Sequence, residues 1–424
     1  MSLTIDAPPR AAATEPTFPI ETVRAAFPAL REAGSFVFFD NAAGAQIPDA
    51  ALDEINRHLV HHNVQRGGRY GRSVEVDRVV SEARAKIAAF LGADDPREVC
   101  LGMNATSFIR LVSLAIGQTL TGDRDEIIVT DLDHEANIAT WRALEGAGAT
   151  IRWWRMRDDG RLHVEDLAPL VSSRTRLVAC TTASHALGSR VDVTAVAEVA
   201  HASGAEVFLD CVHYAPHGPV DVAAWGCDYL VCSGYKIFAP HMGFLWGRFD
   251  ALKALPTFRE DFIPDEPPHK IEAGTFIYEN VAGMSATLDY FAELGASTGT
   301  NGGLRDQITA AMEAILAYEQ RLSARMLEAL HAVGARIFGV ADAAQVALRV
   351  PTFTFTLGDH HPARVAEAAA DAGFGIRDGH MYAPHLMARL GLAMDRGANR
   401  ASLSHYNTIA EIDRFEGFLR GLAG

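Results

Sequence analysis

The stretch Cys227-Asp228-Tyr229-Leu230-Val231-Cys232-Ser233-Gly234-Tyr235-Lys236 is an apolar run that breaks on a serine, a glycine, an aromatic and a lysine. That pattern describes a buried strand delivering polar groups at its end. A short way upstream, Ala205-Glu206-Val207-Phe208-Leu209-Asp210 is a second apolar strand, and it ends on an acid. Consecutive strands of this kind belong to an open α/β sheet, in which strand ends line the ligand crevice.

A lysine amine condenses with an aldehyde, and a carboxylate beside a pyridine nitrogen keeps that nitrogen protonated. Asp210 and Lys236 converging on one crevice, with Ser233 close by, therefore suit pyridoxal phosphate. Taken as isolated residues they read equally well as a helix cap and a snorkelling surface lysine.

Outward from this pair the chain alternates strand and helix patterns. Strands are expected at Glu98 to Gly102, Glu126 to Thr130, Ala149 to Met156, Arg176 to Ser184 and Met242 to Trp246. Helices are expected from Val74 to Leu91, from Asn104-Ala105-Thr106-Ser107 to about Leu120, after Asn137 to Leu144, and from Val193 to Ala202. Strand, helix, strand in succession predicts a largely parallel sheet with helices on both faces. The small-residue turn at Ala105 and Thr106 places free backbone N–H groups and a helix dipole at one spot, an anion site, although Ser and Thr are also ordinary caps. His134, in Asp133-His134-Glu135-Ala136-Asn137, falls at the next strand-to-helix turn. No second ligand at helical spacing supports a metal there, so a flat imidazole over a flat ring is the functional reading and a capping histidine the alternative.

At 424 residues the chain is long enough for a large domain and a smaller one. Residues 1–16 read as a flexible arm and 17–300 as a large cofactor-binding domain whose N-terminal segment packs with the small domain. After the glycine-rich linker at Gly299 to Gly303, residues 301–424 read as a small α+β domain. It opens on a long helix from Leu304 to about Val333. Strands follow at Thr352 to Leu357, Phe374 to Arg377 and Arg400 to Ser404, with helices from Pro362 to Ala372 and from Thr408. A net charge of −15 argues against nucleic acid or an anionic membrane as main partner. No apolar run reaches membrane-spanning length and the start lacks a secretory signal, so a cytoplasmic protein is expected. The five cysteines, Cys100, Cys180, Cys211, Cys227 and Cys232, are odd in number, and most lie in or beside apolar runs, which predicts reduced core thiols.

From about Phe38 to the C-terminus the motifs resemble the class V aminotransferases of the fold-type-I pyridoxal-phosphate enzymes, and within them the cysteine desulfurase and selenocysteine lyase group. The matching stretches are Phe39-Asp40-Asn41-Ala42-Ala43, Asp133 to Asn137, the strand ending at Asp210, Ser233-Gly234-Tyr235-Lys236, Glu272-Ala273-Gly274-Thr275, and Arg400-Ala401-Ser402-Leu403 with Tyr406-Asn407-Thr408. The resemblance implies that Lys236 links to the cofactor aldehyde and then moves the Cα proton, that Asp210 pairs with the pyridinium, and that His134 stacks on the ring. It implies a phosphate site from Ala105, Thr106, Ser233 and Tyr235, completed by Thr275 of a neighbouring subunit, hence a homodimer with shared sites. Arg400 is expected to clamp the substrate carboxylate, with Arg377 near the same group. Arg66-Gly67-Gly68-Arg69-Tyr70 resembles the family's entry loop.

Three departures bear on activity. His185 stands where the family usually has an asparagine beside the cofactor phenolate oxygen, and His213 where desulfurases usually have glutamine. Tyr382, in Arg377-Asp378-Gly379-His380-Met381-Tyr382-Ala383-Pro384, occupies the place of the sulfur-accepting cysteine. A phenol cannot take sulfur, and no cysteine follows Cys232. The expected activity is a lyase that expels a β-substituent from an amino acid, a C–S bond among the candidates. An aminotransferase or epimerase is the alternative, and a cofactor-binding protein without turnover is the alternative of another class.

Overall fold

The computed structural model describes residues 18–272 and 274–423; the N-terminal arm and Ala273 of the Glu272–Thr275 motif lie outside the described residues. Among the described residues thirteen strands run in chain order as β1 (Val37–Phe38), β2 (Val99–Gly102), β3 (Glu126–Thr130), β4 (Thr150–Trp154), β5 (Thr175–Thr181), β6 (Glu206–Asp210), β7 (Tyr229–Ser233), β8 (Gly243–Gly247), β9 (Arg336–Phe338), β10 (Thr352–Thr356), β11 (Phe374–Gly375), β12 (Arg377–Gly379) and β13 (Ala398–Ser402).

Seven of them form the central sheet in the order β2-β8-β7-β6-β5-β3-β4. All run in parallel except β8, which is antiparallel to both β2 and β7. Every residue of β3, β7 and β8 is buried, as is all of β6 but its first, because helices cover both faces of the sheet. That is why these strands read as unbroken apolar runs. The α/β layering with a mostly parallel sheet is the architecture the strand and helix alternation predicts.

A second, antiparallel sheet has the order β12-β13-β10-β9, and β1 pairs in parallel with β11 as a separate two-stranded ribbon. The N-terminal segment thus adds a strand to the C-terminal part of the chain. The expected single strand from Phe374 to Arg377 is divided: β11 pairs with β1, and β12 turns onto β13 after Ile376. The strand expected at Arg400 to Ser404 begins and ends two residues earlier, at Ala398 and Ser402.

Two long helices have no counterpart in the sequence reading. Asp49–His61 lies in the segment before the first expected helix, and Tyr278–Ser297 has 14 of its 20 residues buried. A helix enclosed on nearly all sides has no polar stripe, so the 3.6-residue period that marks a surface helix is weak. Among the described residues no helix is long and apolar enough to cross a membrane, and no group of His, Cys, Asp and Glu is placed to hold a metal ion.

Candidate active site

The strand ends bring the site together. β6 stops at Asp210, and its neighbour β7 stops at Ser233, after which a single 3-10 turn, Gly234–Lys236, presents the lysine. Lys236 is buried, 7% exposed, and burial, reinforced by nearby Arg400, lowers its amine from the ordinary 10.5 to about 8. Asp210 is equally buried; its Oδ1 accepts a 3.0 Å hydrogen bond from the Val212 N–H, and desolvation raises its carboxyl above the usual range. A buried acid held in this way gains from a cationic partner, which a protonated pyridine would supply.

At the helix Ala105–Gly117, Asn104 caps the first turn by accepting from the Ser107 N–H at 2.8 Å. The Ala105 N–H reaches Ser233 Oγ at 3.4 Å, so the helix start and the β7 end share one corner. Gly243 of β8 makes this approach possible, because a Cβ there would lie 2.5 Å from the Asn104 backbone. Thr106 is half-buried beside it. Tyr235 stacks on His241 at 5.1 Å, and its burial raises the phenol. Thr275 is exposed and accepts 2.6 Å from Gln65 Nε2; within this chain it makes no hydrogen bond to Ala105, Thr106, Ser233 or Tyr235. Its neighbour Glu272 is anchored by Arg84 at 2.7 and 3.1 Å and by the Leu101 N–H.

His134 follows β3. Its Nδ1 accepts from the Ala136 N–H at 3.0 Å, so the neutral ring carries its hydrogen on Nε2, and burial, with help from Lys236, lowers its pKa to about 4. His185 lies 4.9 Å from it, ring to ring. His185 Nε2 donates to the Met381 carbonyl at 2.7 Å, and burial holds the imidazole well below its usual range. A neutral His185 with that hydrogen committed has none left to give a cofactor oxygen, where an asparagine amide would have two. His213 is buried against Thr352 Oγ1 at 3.0 Å.

The loop bearing Tyr382 closes over this corner. Its carbonyl accepts from the Glu135 N–H at 3.0 Å, and its ring lies 5.9 Å from His134. Met381 and Tyr382 have φ of 53° and 58°, a left-handed conformation that β-carbon-bearing residues rarely adopt. Two consecutive residues in that region throw the Tyr382 side chain outward, 58% exposed. All five cysteines, by contrast, are buried, and desolvation raises every thiol, that of Cys211 to about 12.

Arg400, on β13, is 2% exposed. Its Nη1 donates to the His185 carbonyl and its Nη2 to Asp40 Oδ1, both at 3.0 Å, while its Nε is shut from solvent with no partner among the described residues. Arg377, opposite it on β12, spends Nε and Nη2 on Asp40 Oδ2 at 3.0 and 2.7 Å. Asp40 was legible only as part of the Phe39–Ala43 motif; its link to both arginines depends on pairings across more than 330 residues. Asn41 next to it donates to the Phe38 and Ser402 carbonyls and to Asn407 Oδ1, so the first and last motifs form one clasp. Two further buried pairs escaped the sequence reading: His217 with Glu319 at 2.8 Å and His405 with Tyr290 at 2.7 Å. Neither pair has a local signal, since each joins residues more than 100 apart in the chain.

Residues 37–415 match the family model for aminotransferase class-V. The chain is 33% identical over 408 residues to the aminotransferase-like protein FGM3 of Gibberella zeae, covering 94% of this chain and 97% of that protein. It is also 33% identical over 417 residues to a cysteine desulfurase of Serratia proteamaculans, with the same coverage. Among solved structures, the apo cysteine desulfurase from Thermococcus onnurineus superposes with a TM-score of 0.85 at 25% identity, over 98% of this chain and 99% of that one. Matches of this length and level place the chain, by descent and by fold, in the class V aminotransferase family of pyridoxal-phosphate-dependent, cysteine desulfurase-like enzymes.

Proposed function

We propose that this chain binds pyridoxal phosphate through Lys236 and removes a β-substituent from an α-amino acid without carrying sulfur on a cysteine of its own. The observation that carries this reading is the pairing of an exposed tyrosine at position 382 with five cysteines that are all buried. Transfer to a protein persulfide needs an accessible thiolate, and burial raises all five thiols.

The residues fit the cofactor: a buried acid in want of a cation, a lysine with a softened pKa, and a helix start brought against a serine by a glycine. When bound, pyridoxal phosphate supplies an electron sink for breaking the Cα–H bond. Asp210 holds the ring nitrogen protonated, and Ala105, Thr106, Ser233 and Tyr235 hold the phosphate. Thr275 of a second copy completes that phosphate site in a homodimer. Arg400, with its bare Nε, receives the substrate carboxylate. An amine with a pKa of about 8 exchanges a proton near neutrality, so Lys236 takes the proton from Cα. His134 stays neutral and stacks on the ring. Tyr382 orients the leaving group and protonates it.

The test is to incubate the holoenzyme with a panel of amino acids and identify products by mass. From cysteine the expected products are pyruvate, ammonia and sulfide, with no persulfide on any of the five cysteines. Tyr382→Phe should slow turnover while leaving cofactor content unchanged. Alanine together with a mapped persulfide overturns the reading; a keto acid of unchanged carbon skeleton, or an inverted amino acid, replaces it with transamination or epimerisation.

A further inference from the structure

Asp40 treats its two arginines unequally. Arg377 gives it the side-on edge of the guanidinium, Nε and Nη2, and so has that edge filled. Arg400 gives it a single hydrogen from Nη2 and a second to the His185 carbonyl, leaving Nε without a partner among the described residues although the residue is 2% exposed. A buried guanidinium donor without a partner is costly, and an incoming carboxylate removes that cost. Two cations and one anion leave the cluster a single net positive charge. Asp378, the other acid close to Arg377, is exposed and forms no ion pair among the described residues. Asp40 and Arg377 open on a cavity of about 350 Å³ that Phe36 and Phe38 also line, so Arg377 is within reach of a ligand from outside.

We infer that Asp40 is a specificity-determining residue: by occupying the side-on edge of Arg377 and leaving Arg400 with an unpaired Nε, it sets the site to accept an amino acid with one carboxylate and to refuse one with a second acid group on its side chain. Asp40 acts through the arginines, and it takes no part in the bond-breaking step. This inference rests on the reading of Arg400 as the carboxylate receptor. Without Asp40 the cluster would carry two positive charges, and Arg377 would be free to pair with a second carboxylate.

The test uses the holoenzyme and two acids that lack an amino group and cannot react, propionate and succinate, titrated by calorimetry. Both are measured on the same preparation of each variant, so loss of folded protein cancels in their ratio. In Asp40→Asn the preference for succinate over propionate should rise roughly tenfold or more, the gain of one charge-assisted pair. In Asp40→Asn/Arg377→Gln the cluster is back to one positive charge, and the preference should return to that of the wild type. A preference unchanged in the single variant, or one still raised in the double variant, overturns the inference. Arg400→Gln separates the two readings: it should abolish propionate binding, and if binding survives, or if the wild type binds neither acid, the carboxylate reading itself fails and this inference with it.

Discussion

Replacing Arg400 by glutamine keeps most of the side-chain volume and removes the charge. In the wild type Arg400 is 2% exposed, with Nη1 and Nη2 engaged and Nε unpaired among the described residues. An unsatisfied buried donor costs about 1–3 kcal/mol, which a bound carboxylate relieves while it also forms a charge-assisted pair. Losing one partner of a buried, hydrogen-bonded charge pair typically costs about 2–5 kcal/mol, or roughly 30-fold to several-thousand-fold in affinity. Asp40 keeps Arg377 as a partner, so the substitution does not strand a carboxylate. The assay is a spectral titration of the cofactor-loaded protein with an α-methyl amino acid, which binds but has no Cα proton to lose. Cofactor content should match the wild type, and the dissociation constant should rise by at least the lower figure. Equal affinities in wild type and variant would remove Arg400 from the site.

The other two predictions concern Lys236. Borohydride treatment of the yellow holoenzyme should fix the cofactor to the peptide containing Lys236, and Lys236→Ala should lose the yellow absorbance; a label on any other peptide refutes the assignment. In the cofactor-free protein the folded-state pKa of Lys236 is about 8 against an ordinary 10.5, so at pH 7 the folded chain bears the cost of a buried charge. Between those two values the unfolded chain binds more protons, and wild-type stability rises with pH. Lys236→Met should therefore melt higher than wild type at pH 7 and lose that margin as pH climbs from about 8 toward 10.5; a margin that does not change with pH contradicts the buried-amine reading.

The parallel sheet was legible in the sequence because its strands are buried on both faces and so appear as unbroken apolar runs ending on polar residues. Asp210 and Ser233 stand out for the same reason, each being the first polar group after such a run, and Lys236 follows Ser233 by a single turn. The turn at Ala105 was visible as a strand, small residues and a helix start, all local in sequence. The helix Tyr278–Ser297 was not, since near-complete burial erases the polar face that gives a helix its period. The course of β11 and β12 was decided by which strands were available to pair with, β1 in one case and β13 in the other, and no local pattern encodes that choice. Motif order marked Asp40, Arg377 and Arg400 as notable, but only the tertiary structure brings a residue near the N-terminus between two arginines near the C-terminus. Which guanidinium has its side-on edge filled and which keeps an unpaired Nε follows from hydrogen-bond geometry at a few ångströms, set by long-range strand pairing and beyond the reach of side-chain type and spacing.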